Sequence, residues 1–164
     1  MAQLTFLGRE NIQRDIIMQK HDVVIIGGGI IGSAIAYFLK SNLDFKGDVA
    51  VIERDTSYGK ASTTRSLGGV RQQFSNHENI EIGLFGSEFV KNIKEHLAVD
   101  GESLDVGWVE RGYLFLASNE GKKILIKNQS LQKRLGARFD ILSPSDLKIK
   151  FPWLNTNGIV ISSF

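Results

Sequence analysis

The sequence contains no cysteine in its 164 residues. Disulfide bonds, cysteine-ligated metals and covalent cofactor links through sulfur are therefore excluded within this chain, and the composition fits a reducing compartment. Long hydrophobic runs are also absent, since no stretch approaches the ~20 apolar residues that span a bilayer. Met1 to Lys20 lack the continuous apolar core of a secretory signal. We predict no transmembrane segment.

The chain also lacks an excess of either sign of charge. The formal net charge is +2, from 20 basic and 18 acidic residues, and the basic residues form no block, so we predict no nucleic-acid partner. His77 and His96 have no second ligand at a useful spacing, and no metal site is predicted. Residues 1–20 mix both signs of charge, which counts against a mitochondrial presequence, and we predict a poorly ordered extension or a short helix there.

The most informative stretch is an apolar run that leads into glycines. Asp22 to Ile26 is rich in β-branched residues and is typical of a strand buried on both faces. A small-residue helix follows, to about Leu39. The glycines between them have the G-x-G-x-x-G spacing, in which the first allows a tight turn, the second lets a pyrophosphate approach and the third permits close packing. The predicted diphosphate-binding set is Gly27, Gly28, Gly29, Ile30, Ile31 and Gly32.

An acidic residue stands where such a motif requires one. Val49 to Ile52 reads as a second strand, and Glu53 follows it, about twenty residues after Gly32, where a carboxylate meets the adenosine ribose. Glu53 argues against a 2′-phosphate, although the neighbouring Arg54 could serve one. The alternative is a glycine turn in an ordinary α/β protein with a solvated Glu53.

The segment after Glu53 is crowded with hydroxyls, glycines and arginines. It leaves the end of the second strand, so we expect it to lie near bound phosphates. The predicted donors to phosphate or isoalloxazine oxygens are Ser62, Thr63, Ser66 and Arg71, and Gly68 and Gly69 would let backbone approach a flat ring. A flexible surface loop would have a similar composition.

The remaining chain reads as a mixed α+β segment. We predict a helix over 76–97 begun by a Ser75–Glu78 capping box, and a helix over 120–135. A third, short helix is predicted after Ser143-Pro144. The predicted strands are 106–109, 113–117, 139–142 and 158–162.

The predicted strands do not complete a nucleotide-binding sheet. Only 22–27 and 49–53 are strong candidates for parallel strands, whereas such a domain needs several. We therefore interpret the chain as the N-terminal part of a longer protein. The predicted division is an extension over 1–20, part of a cofactor-binding domain over 21–97 and the start of a substrate domain over 98–164.

These motifs resemble those of the D-amino-acid-oxidase-like superfamily of FAD-dependent oxidoreductases. The resemblance rests on the fingerprint at 22–37, on Val51 to Asp55 and on the loop that ends at Arg71. The runs at 71–75, 112–117 and 151–155 are similar to a subgroup of bacterial and mitochondrial FAD-binding oxidoreductases, one of which serves respiratory complex I assembly.

The resemblance implies a Rossmann-like FAD-binding βαβ unit, with the ADP half of FAD on the glycines and Glu53. It implies hydride removal from the carbon beside an amine nitrogen, giving an imine that hydrolyses. The partners it implies are an amine or amino-acid substrate and an electron acceptor or respiratory complex. The location would be bacterial cytoplasm or, alternatively, the mitochondrial matrix. No catalytic residue is assigned. The alternatives are an assembly factor that keeps FAD for stability and an NAD-dependent dehydrogenase.

Overall fold

A computed structural model describes residues 5–7 and 19–164. The elements are β1 (Thr5–Leu7), β2 (Val23–Ile26), α1 (Ile30–Ser41), β3 (Val49–Ile52), α2 (His77–Lys91), α3 (Ile93–His96), β4 (Phe115–Ala117), α4 (Lys122–Arg134), β5 (Ile141–Leu142), α5 (Pro144–Lys150) and β6 (Ile161–Ser163). They form two compact units, the first ending at Gly69 and the second running over Val70–Phe164.

The first unit is built on a parallel sheet in the order β1-β3-β2. The register between β2 and β3 pairs Val23 with Val49 and Ile26 with Ile52, so both strands end at the same edge. The predicted strand–helix–strand unit is thereby confirmed. β1 pairs with β3 as a third parallel strand. The prediction for 1–20 was therefore wrong at these three residues, because their partner lies more than forty residues away; its remainder lies mostly outside the described residues.

Helix α1 covers one face of this sheet. Ile25, Val49 and Val51 are buried against Ala36 of the helix, and Leu39 and Phe45 close the cluster. Burial of β2 on both faces was predicted and is not observed. Ile25 is 8% exposed, but Val24 and Ile26 are 49% and 81% exposed. Because side chains alternate along a strand, one face packs on α1 and the other remains open in the described chain.

The second unit contains an antiparallel sheet in the order β4-β6-β5. Leu116 and Leu142 both pair with Ser162 of the central strand. The predicted strands over 113–117, 139–142 and 158–162 therefore exist, in shorter form. The helices α4 and α5 lie within or beside their predicted ranges. Ser143 begins α5 with a complete capping box, in which it bonds Asp146 in both directions.

Three local predictions were wrong. Residues 106–109 form no strand, because Gly107 has a φ of 64° and its amide donates to the Asp105 carboxylate. The N-cap of α2 is Asn76, with no side-chain cap bond, so the Ser75 capping box is absent. The predicted single helix is interrupted at Asn92, whose side-chain amide bonds the Glu88 carbonyl and carboxylate and competes with the backbone.

Within the second unit, the segment Arg71–Phe74 is held by hydrogen bonds from several sides. Gln73 donates to the Tyr113 carbonyl at 3.0 Å and accepts from Ser163 Oγ. Gln132, buried on α4, donates to the Phe74 carbonyl at 2.7 Å.

In the part of the chain that the structure covers, no helix is both long and apolar enough to cross a membrane.

Two glycines of α2 provide a matched test of this packing. A β-carbon on Gly83 would lie 2.4 Å from the Arg71 carbonyl oxygen, whereas one on Gly86 would meet nothing within 4 Å. We expect Gly83→Ala to lower the free energy of unfolding by about 1–3 kcal/mol through overpacking. Gly86→Ala should raise it by up to about 1 kcal/mol, because alanine is the better helix former. Chemical denaturation of both variants measures the difference, and equal effects would contradict the close contact.

Candidate functional site

The turn between β2 and α1 requires two of its glycines for structural reasons. Gly27 has a φ of 98°, a conformation that L side chains rarely adopt, and its amide donates to the Ile52 carbonyl at 2.8 Å. A β-carbon on Gly32 would lie 1.9 Å from the Gly27 carbonyl oxygen. The turn role predicted for Gly27 and the packing role predicted for Gly32 are therefore confirmed by the geometry.

Gly29 is different, because nothing in the described protein requires a glycine there. Its φ of −63° and ψ of −175° are open to any residue. The nearest atom to a β-carbon would be Thr63 Oγ1, at an ordinary contact distance of 3.5 Å. Neither backbone strain nor internal crowding explains this glycine. The space in front of it is what a ligand approaching the backbone would need.

The amino end of α1 presents backbone donors to that space. The first intrahelical hydrogen bond runs from Ser33 N to Gly29 O at 2.9 Å, so the amides of Ile31 and Gly32 have no carbonyl within the described helix. The Ile30 amide donates to Thr63 Oγ1 at 3.2 Å. Thr63 thus places a hydroxyl oxygen where the helix end favours an anion's oxygen.

Glu53 sits at the end of β3 and is held by the backbone. Its Oε2 accepts from Gly28 N at 2.7 Å, and its Oε1 accepts from Asp55 N at 2.9 Å. The Asp55 amide, then the Gly28 amide, hold the pKa of the Glu53 carboxyl below its usual value. Each oxygen keeps a lone pair for a further donor, so an ionised Glu53 can accept hydroxyl protons from a ligand.

The loop after Glu53 forms local turns rather than an open chain. Ser66 Oγ donates to the Thr63 carbonyl at 2.9 Å, and the Gly68 amide donates back to Ser66 Oγ. The Ser62 carbonyl accepts from the Arg65 amide, and the Ser62 side chain is exposed. Arg54 and Gly69 are also exposed. Of the hydroxyls predicted from this loop, Thr63 is the one placed at the helix end.

Arg71 belongs to the second unit. Its guanidinium lies over the rings of Phe74 and Phe115, at 4.4 Å and 5.8 Å from their centres. Such contacts fix a cation by attraction to the ring faces. The role predicted for Arg71 toward phosphate or isoalloxazine oxygens stays a prediction.

Two side chains beside the turn were not among the predicted site residues. Ser33 Oγ donates to the Gly28 carbonyl at 2.7 Å and supports the turn from inside α1. The Tyr58 hydroxyl lies 2.9 Å from the position of a β-carbon on Gly28. A serine just after the last motif glycine is a local signal that could have been read. Tyr58 carries no such signal, because the folding of its loop back onto Gly28 is a tertiary event.

Comparison with known proteins agrees with this geometry. A family model described as FAD dependent oxidoreductase matches residues 22–163. The chain belongs to this family. The match covers the glycine turn, Glu53 and nearly all of the second unit, and it identifies FAD as the cofactor of the family rather than the nicotinamide alternative.

Named relatives extend the comparison. The chain is 47% identical over 153 residues to FAD-dependent oxidoreductase domain-containing protein 1 of Xenopus laevis, covering 92% of this chain and 31% of that protein. It is 29% identical over 139 residues to human mitochondrial sarcosine dehydrogenase, covering 84% and 14%. The crystal structure of L-proline dehydrogenase from P. horikoshii matches with a TM-score of 0.68 at 31% identity, covering 88% and 36%. The chain thus spans about a third or less of these proteins.

The described residues fit the adenosine diphosphate part of FAD. The amides opening α1 and the unfilled space at Gly29 suit a pyrophosphate, and the ionised Glu53 suits ribose hydroxyls. A 2′-phosphate would meet the Glu53 charge. When bound, FAD supplies the electron-accepting ring that no amino-acid side chain provides.

Substitution at Gly29 tests the diphosphate site without disturbing the fold. Gly29→Val should lower the free energy of unfolding by no more than about 1 kcal/mol, the cost of a poor N-cap residue, since the site is open and its backbone unstrained. The same variant should retain no FAD on gel filtration, because the side chain fills pyrophosphate space. Gly32→Ala is the contrasting variant, in which we expect the fold itself to fail. Bound FAD in a folded Gly29→Val protein would contradict the assigned site.

Acid titration tests the hydrogen bonds of Glu53. A carboxyl whose pKa is lowered on folding adds stability above its unfolded pKa, about 4.3 for glutamate, and loses it as pH falls through the lower folded value. The gap in Tm between wild type and Glu53→Gln should therefore be constant near neutrality and shrink below about pH 4. A gap that is independent of pH across this range would show that the carboxylate charge is not stabilised by the fold.

Proposed function

We propose that this FAD-dependent oxidoreductase oxidises a carbon–nitrogen bond in a small amine or amino acid. The substrate would lose a hydride from the carbon beside nitrogen, and the nitrogen lone pair would form the carbon–nitrogen double bond. FAD would supply the acceptor for that hydride, and water would hydrolyse the imine. We propose that an electron carrier or a respiratory-chain component finally takes the two electrons.

The observation that carries the flavin site is the unexplained glycine at position 29. Gly27 has a positive φ and Gly32 a close contact, whereas Gly29, the N-cap of α1, has neither, and its open space adjoins unpaired helix amides. A diphosphate accounts for both features at once. The residues proposed to bind FAD in the first unit are Gly27, Gly28, Gly29, Ile30, Ile31, Gly32, Glu53, Arg54, Ser62, Thr63, Ser66, Gly68 and Gly69.

The chain's own residues would bind and orient the cofactor. The first-turn amides of α1 would donate to the pyrophosphate, and Thr63 would exchange its bond to the Ile30 amide for one to a phosphate oxygen. Glu53 would accept the ribose hydroxyls while the Gly28 and Asp55 amides keep it ionised. These contacts hold the cofactor in place while its ring does the chemistry.

Two relatives support a substrate class. The names of the human and P. horikoshii proteins contain sarcosine and L-proline, which are both amino acids with a secondary amine. We propose a secondary amino acid or amine for this chain. The name of the human protein also includes a mitochondrial location, and we propose the mitochondrial matrix over the bacterial cytoplasm.

The test is anaerobic reduction of the flavin. Protein expressed from its native reading frame should be yellow, and sarcosine, other N-methyl amino acids or L-proline should bleach the flavin absorbance. N-acetylglycine is a matched control, because its amide nitrogen has no available lone pair and should cause no bleaching. Gly29→Val supplies the colourless control.

Two outcomes would contradict this proposal. Protein that keeps FAD but is bleached by no amine or amino acid would favour the alternative, a factor that retains FAD for stability and acts through protein contacts. Colourless wild-type protein that does not take up added FAD would contradict the site itself.

A further inference from the structure

Tyr58 lies against the contact between Gly28 and Glu53. Its hydroxyl oxygen is 2.9 Å from the position that a β-carbon on Gly28 would take, and Glu53 Cβ is 3.4 Å from the same position. The Gly28 amide meanwhile donates to the Glu53 carboxylate. The phenol and the carboxylate therefore border one small space at the end of β3.

The backbone holds Tyr58 there in an unusual conformation. Its φ is 54°, in the left-handed region that costs energy for a residue of this size. Its amide donates to Asp55 O at 2.9 Å, and its carbonyl accepts from the Ala61 amide at 3.0 Å and from Thr64 Oγ1 at 2.7 Å. The loop thus fixes the aromatic side chain where glycine or asparagine would be easier to accommodate.

The chemistry of the two groups is complementary. An ionised carboxylate only accepts hydrogen bonds, so ribose hydroxyls that bind Glu53 donate their protons to it. Their oxygens then need a donor. Within residues 5–7 and 19–164, the half-buried Tyr58 side chain has no hydrogen bond of its own, and its O–H is free to donate.

We infer that Tyr58 is a further cofactor-binding residue, whose hydroxyl donates to an adenosine ribose hydroxyl that Glu53 accepts from on the other side. This inference rests on the proposed FAD site and adds a donor to it. Glu53 would accept a hydrogen bond from the ribose hydroxyls, and Tyr58 would donate one to them. A sugar that lacks its hydroxyls would lose both contacts.

The experiment compares Tyr58→Phe with Tyr113→Phe, the same change in the second unit. Flavin-free protein expressed from its native reading frame is titrated with FAD. We expect Tyr58→Phe to raise the Kd about tenfold, the loss typical of one hydrogen bond, and Tyr113→Phe to match wild type. Thermal unfolding without FAD should be the same for all three proteins, because Tyr58 makes no side-chain hydrogen bond in the described chain.

A second titration identifies the group on the ligand. ADP and its 2′,3′-dideoxy analogue are used to compete with FAD. Removal of the ribose hydroxyls should weaken binding to wild type about tenfold more than binding to Tyr58→Phe.

Each result separates this inference from the site on which it rests. Wild type that binds FAD with the same Kd as Tyr58→Phe would overturn the role of Tyr58 and leave the FAD site standing. If Tyr58→Phe loses the same factor in affinity, relative to wild type, for ADP and for the dideoxy analogue, the ribose contact is overturned. Lowered stability of the flavin-free variant would overturn it too. Wild type that binds no FAD would overturn both.

Discussion

One hydrogen bond joins the two ends of the candidate site: the Gly28 amide donates to the Glu53 carboxylate at 2.7 Å. It links the turn after β2 to the residue after β3. The parallel register makes this bond geometrically available, since Ile26 and Ile52 pair and both strands stop at the same edge. Glu53 is thus held in one orientation and ionised by the backbone, as the proposed ribose contact needs.

The three motif glycines show that one residue type can have three different physical causes. Gly27 supplies a positive φ, and Gly32 allows the helix to touch the turn at a distance that no β-carbon would permit. Gly29 has neither reason, and only this last case points beyond the chain to a ligand. A motif match alone does not make that distinction, because it treats all three positions alike.

The second unit contributes a different kind of order. Its Arg71–Phe74 segment is held by the bond from buried Gln132 on α4 to the Phe74 carbonyl and by the bond from Gln73 to the Tyr113 carbonyl. Gly83 packs closely against its Arg71 carbonyl. Arg71 projects from this braced segment with its charge over two aromatic rings. The family match extends through this unit to residue 163, so its packing belongs to the family's architecture rather than to a separate module. The chain nevertheless spans 31% of its Xenopus laevis relative, and substrate choice therefore remains a proposal.

The amino-acid sequence by itself determined the strand, glycine turn, helix and second strand, and it placed Glu53 at the carboxyl edge. These features depend on local patterns, namely apolar runs, glycine spacing and helical periodicity, which a single chain displays without its partners. The same local patterns failed at Gly107 and Asn92, where one backbone angle or one side-chain hydrogen bond decides the outcome.

Only the tertiary structure decided that Thr5–Leu7 joins the sheet, that Thr63 reaches the Ile30 amide and that Tyr58 folds over Gly28. It also decided which face of β2 is covered. The first three of these facts are contacts between segments about 30 to 45 residues apart. Such contacts depend on how the chain closes on itself, and no local periodicity records that closure.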